Sequence, residues 1–97
     1  MLIQMAVKYK DIRWKKVICE DLTVGEVKEV VIDTSNWKVT HLEVELTGET
    51  ADLVLGIKKG GIRNLLAVSA IGEAEKKIKL KVTKGQLHIY LKPSKLK

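Results

Sequence analysis

In three separate segments of this chain, hydrophobic residues recur at every second position. A period of two is the spacing of a β-strand with one buried and one wet face. Thr40, Leu42, Val44 and Leu46 fall on one side of such a strand, and His41, Glu43 and Glu45 on the other. Ile78, Leu80 and Val82 alternate with Lys77, Lys79 and Lys81. Leu87, Ile89 and Leu91 alternate with His88, Tyr90 and Lys92. A fold built on this pattern is a sheet that covers a core with one face.

The segment Val24–Asp33 is also strand-like, but Val27 and Val31 have one parity and Val30 and Ile32 the other. A bulge, or burial on both faces, accounts for the mixture. The turn residues Thr34-Ser35-Asn36 then join it to the strand Val39–Leu46 as a hairpin. Thr83-Lys84-Gly85-Gln86 reads as a second turn joining the last two strands, with Gly85 free to take a positive φ. One short helix is expected: Thr47 caps it, Glu49 and Asp52 sit in its first turns, and Gly56 stands at its left-handed end. The loop Lys58-Lys59-Gly60-Gly61 follows, then a largely apolar strand over Leu65–Ile71. The sum is an all-β fold of about six strands with one short helix, arranged as a small closed or nearly closed barrel.

Ninety-seven residues form one domain, 1–97, with an ordered core over about 12–91 and a frayed tail over 93–97. Phe is absent, so the core is built from Val, Ile and Leu. Cys19 is the only cysteine and reads as a core residue, since no intrachain disulfide can form. The longest apolar stretch is far short of the roughly 20 residues of a spanning helix. Met1–Val7 is apolar but is followed by Lys8 and Lys10, the reverse of a signal peptide's order. These features lead to the expectation of a cytoplasmic protein. Net charge is +6 but uneven: residues 1–50 carry a net −2 and residues 51–97 a net +8.

The stretch Val24-Gly-Glu-Val-Lys-Glu-Val-Val-Ile-Asp33, followed by Trp37-Lys-Val-Thr-His-Leu-Glu-Val-Glu-Leu46, resembles the signature hairpin of the PRC-barrel family. Leu65-Leu-Ala-Val-Ser-Ala-Ile71 and Ile78–Val82 resemble that family's later segments. The resemblance covers about residues 12 to 91, and its order and spacing are most like the small stand-alone archaeal members. The chain departs from the family at the first strand, where the acidic turn Glu20-Asp21 replaces the usual glycine before Gly25. The resemblance implies a dimeric, non-catalytic adaptor of archaeal cell division, pairing with itself or a paralogue and docking other division proteins. A second reading follows from the family's other branch, the C-terminal domain of ribosome maturation factors: an RNA- or ribosome-associated module.

The residues themselves point the same way. His41 and His88 lie on different expected strands, with only Glu43 and Glu45 near His41, so no metal set converges. Ser35, Ser69 and Ser94 have no paired base, and Gly60-Gly61 lacks the Walker spacing. No catalytic set, metal or cofactor is expected. If the last hairpin pairs about Lys84-Gly85, then Lys77, Lys79, Lys81, His88, Tyr90 and Lys92 share one outer face. That face is either a docking surface for an acidic segment or RNA backbone, or a solubilising face. Glu43 and Glu45 supply a patch of the opposite sign, which invites self-association. Trp14 and Trp37 each cover an end of the barrel, or one of them anchors an interface. Sixteen of the 18 basic residues are Lys, and aromatics are few, which favours a protein partner over RNA.

Overall fold

The computed structural model describes residues 12–94. The expectations for Met1–Val7 and for residues 95–97 lie outside the described residues. Seven strands form one sheet: β1 (Lys16–Cys19), β2 (Leu22–Asp33), β3 (Lys38–Leu46), β4 (Arg63–Ala67), β5 (Ile71–Ala74), β6 (Ile78–Leu80) and β7 (Leu91–Pro93). The short helices α1 (Gly48–Leu55) and α2 (Leu87–Tyr90) interrupt them. The strand order is β5-β6-β1-β2-β3-β4-β7, so β5 and β7 are the edges among the described residues. The all-β, barrel-like expectation holds in outline, as a curled sheet of seven strands and not six.

The long hairpin β2–β3 organises the rest. Its register runs from Gly25 opposite Leu46 to Asp33 opposite Lys38. Two shifts, between Val27 and Glu29 and between Val31 and Ile32, are the bulges that the mixed parity of Val24–Asp33 anticipates. Bulges bend and twist a strand, which curls the sheet around its own apolar face. Gly25 sits where the curl is tight: a Cβ there would overlap the backbone carbonyl of Glu45 and crowd Val44.

The core lies inside this curl. Val17, Cys19, Val24, Val27, Leu42, Val44, Leu46, Leu66, Ile78 and Leu87 are all buried. Leu42, Val44 and Leu46 occupy alternate positions of β3, as the period of two requires. Cys19 is a core residue whose Sγ lies 3.2 Å from the Val82 carbonyl oxygen. Burial pushes its thiol pKa up.

Helix α1 forms where expected. Thr47 Oγ1 accepts from Thr50 N at 3.2 Å, and Gly56 closes the helix in the left-handed region with φ 72°. Both threonine hydroxyls reach back to the Thr23 carbonyl, at 2.9 and 3.2 Å, which fixes the helix start to β2. No helix among the described residues is long and apolar enough to cross a membrane.

Two segments depart from the sequence reading. The apolar run Leu65–Ile71 is not one strand: β4 ends at Ala67, a 3-10 turn covers Val68–Ala70, and β5 begins at Ile71. The expected final hairpin does not form. Thr83 and Gln86 make a reciprocal capping box that starts a 3-10 turn over Lys84–Gln86, and α2 follows directly. Leu87 and Leu91 are buried four residues apart while Ile89 is 61% exposed, the pattern of a helical turn and not of a strand. Strand β7 then pairs with β4, on the far side of the sheet from β6. Pro93 ends β7, and Ser94 beyond it is held by Glu43.

Candidate interaction surface

The tip of the β2–β3 hairpin projects the most exposed large apolar side chain of the described residues. The Asp33 carboxylate accepts from Ser35 N at 2.9 Å and from Ser35 Oγ at 2.7 Å, and Asn36 N bonds the Asp33 carbonyl at 3.3 Å. These side-chain and backbone hydrogen bonds hold the Asp33 carboxyl below its ordinary value. Trp37 completes the loop with φ 57°. The left-handed region suits Gly or Asn, and a branched or bulky side chain is strained there by roughly 1–2 kcal/mol. Nothing packs this strain away, since Trp37 is 76% exposed. Ile32 and Val39, directly opposed across the two strands, are also exposed. Asp33 and Lys38, the next opposed pair, give the same tip one charge of each sign.

The other tryptophan has a different role. Trp14 also takes a positive φ, 73°, but Lys28 Nζ lies 3.9 Å from its ring centroid and the Arg13 guanidinium 4.8 Å from it. Its backbone N–H donates to Val27 O at 2.8 Å, and Val27 N returns a bond to Lys15 O at 3.0 Å. Trp14 therefore clasps the bulge at Lys28. The expectation that each tryptophan covers an end of the barrel is corrected for Trp37, which stands clear of the core.

Glu43 and Glu45 lie on the outer side of β3, as their parity requires, but they do not form an acidic docking patch. Glu43 is buried, 2% exposed, where a solvated side chain was expected. Arg63 Nη1 donates to its Oε1 at 3.0 Å and Ser94 Oγ to its Oε2 at 2.6 Å. Glu45 lies 3.7 Å from Lys28 Nζ and 4.0 Å from Arg63 Nε. Lys28 also holds Glu26 at 3.0 Å, and Lys16 adds a contact at 3.6 Å. The hydrogen bond from Lys28 keeps the Glu26 carboxyl below its ordinary value. The network staples β1, β2, β3 and β4 to the residue after β7, so its acids are already partnered.

The single lysine face does not exist either. Lys77, Lys79 and Lys81 are exposed around β6, but His88 and Tyr90 ride on α2 and Lys92 on β7. Strands β6 and β7 have four strands between them in the sheet, because the turn that would have paired them is a helix start. His41 Nδ1 lies 3.0 Å from Thr40 Oγ1 on β3, and His88 is exposed on α2. What remains of the basic face is a groove at the β5–β6 turn, lined by Lys15, Lys76, Lys77 and Lys79 together with Glu73, Ala74 and Glu75.

Sequence reasoning named Trp37 but not Ile32 and Val39, because alternation counts both as ordinary strand residues. The bulge after Val31 and the length of the hairpin are what carry them beyond the core. No protein-family model matches the chain, and no curated protein matches it in sequence.

Proposed function

We propose that this protein is a non-catalytic adaptor that self-associates through the β2–β3 hairpin tip and works in the cytoplasm. The observation that carries the reading is Trp37: strained, at the surface, and unsupported by any core contact. A residue that adds nothing to folding at the cost of backbone strain is accounted for by binding. The tip is suited to a two-fold contact. Its apolar centre, Ile32, Trp37 and Val39, is flanked by Asp33 and Lys38. Across a two-fold axis each Asp33 faces a Lys38, which makes the patch complementary to itself.

The resemblance of Val24–Leu46 to the PRC-barrel hairpin supports the same class of activity and extends it to the archaeal division machinery, with a paralogue or other division proteins as further partners. Among the described residues no group of three or more His, Cys, Asp or Glu is placed to hold a metal. The test is a tagged-protein pull-down from an archaeal extract, run with and without nuclease. Partners that survive nuclease support the adaptor reading. Partners that vanish with nuclease overturn it in favour of the RNA-associated module.

A further inference from the structure

We infer that the β5 edge is a second docking site, which takes an acidic, extended protein segment as an added strand. Among the described residues strand β5 pairs on one side only, with β6, so its other side offers backbone N–H and C=O groups to an incoming strand. No proline blocks it, whereas the opposite edge, β7, ends in Pro93.

The charge beside this edge selects the incoming strand. The groove next to β5 has a volume of about 810 Å³ and carries Lys15, Lys76, Lys77 and Lys79 against Glu73 and Glu75. Lys76, Lys77, Lys79 and Lys81 have no ion-pair partner among the described residues. Lys15 is anchored, its Nζ donating to the Glu75 carbonyl, which ties the groove's two walls together. Lys76, Lys77, Lys79 and Lys81 stand on the β5–β6 turn and on and after β6, one strand in from the edge, while β5 itself carries only the charge of Glu73. Their like charge disfavours pairing with a second copy of the same region. The same charges attract a strand rich in Asp or Glu.

Nucleic acid fits this groove poorly. No aromatic side chain and no Arg lines it, so bases have no stacking platform. The free strand edge has no use in binding a phosphate backbone, but it supplies the main-chain pairing that an extended peptide needs.

The site is separate from the hairpin tip, and its test is independent of that reading. A labelled eight-residue peptide of alternating Glu and Val is titrated against the protein, with a Lys/Val peptide and a 12-mer oligouridine as comparisons. Backbone amide shifts and hydrogen exchange locate the contact. Binding of the acidic peptide is expected, with shifts and new protection over Ile71–Ala74. The K77E/K79E double variant, changed only at exposed positions, should weaken it roughly tenfold, and W37G should leave it unchanged. Failure of the acidic peptide to bind, tighter binding of oligouridine, or shifts confined to Ile32–Val39 would each overturn the inference.

Discussion

Arg63 reaches from the exposed side of β4 to Glu43, a carboxylate buried on the outer side of β3, and donates to it at 3.0 Å. A carboxylate removed from water needs its partners more than they need it. Arg63→Ala leaves Glu43 with the hydrogen bond from Ser94 and is expected to destabilise the fold by about 1–3 kcal/mol. Glu43→Gln keeps an acceptor and removes the buried charge, so it should cost less than Arg63→Ala. Urea unfolding of the two variants gives the order; the reverse order would show that the pair is not what satisfies Glu43.

The short helix α2 makes a second prediction, because it reverses the exposure of one residue. In a strand, Leu87, Ile89 and Leu91 would all be buried. With α2 over Leu87–Tyr90 and β7 starting at Leu91, only Leu87 and Leu91 are. Ile89→Lys should change stability by no more than about 0.5 kcal/mol, while Leu87→Ala should cost about 2–5 kcal/mol. Thermal unfolding monitored by circular dichroism separates them; equal losses at both positions would restore the hairpin.

Much of the fold was legible in the sequence, and the failures share a cause. The alternation of Thr40–Leu46 and the caps Thr47 and Gly56 are local signals, and the structure follows them. Residues 87–91 are ambiguous by pattern, since apolar residues at 87, 89 and 91 satisfy a period of two and those at 87 and 91 also satisfy a helical turn. The deciding signal was the spacing of Thr83 and Gln86, a capping box that a turn reading of Gly85 overlooks. Gly85 does not adopt a positive φ. Parity placed Glu43 on the outer side correctly but could not show its burial. Its partners Arg63 and Ser94 lie 20 and 51 residues away in sequence, and only the strand order brings them together. Likewise, Trp37 was legible as an aromatic in a turn, but its backbone strain was not.

Acid should weaken the fold through its exposed carboxylates. Asp21 is held below its ordinary value by the hydrogen bond and charge of Lys84, at 2.8 Å, and Glu26 chiefly by its bond from Lys28. A carboxylate with a depressed folded-state pKa contributes stability that is present above its unfolded value, near pH 4. That contribution is lost as pH falls through the folded value. The melting temperature should therefore decline below about pH 4, and an Asp21→Asn, Glu26→Gln double variant should show a shallower decline. An unchanged slope would show that these contacts are silent in solution. The opposite contribution belongs to Lys84, whose pKa is raised by its bond to Asp21. It is present below the ordinary lysine range and lost as pH rises through the folded value.

Trp37→Gly tests the central claim most directly, with self-association and folding measured on the same sample. Glycine relieves the left-handed strain but loosens the unfolded chain, so monomer stability should stay level or rise by up to about 1 kcal/mol. Sedimentation across a range of concentrations should meanwhile show the wild type associating and the variant remaining monomeric. A variant that associates like the wild type, or one that loses its fold, would contradict the account: the first because the tip is then not the interface, the second because Trp37 is then part of what holds the protein together.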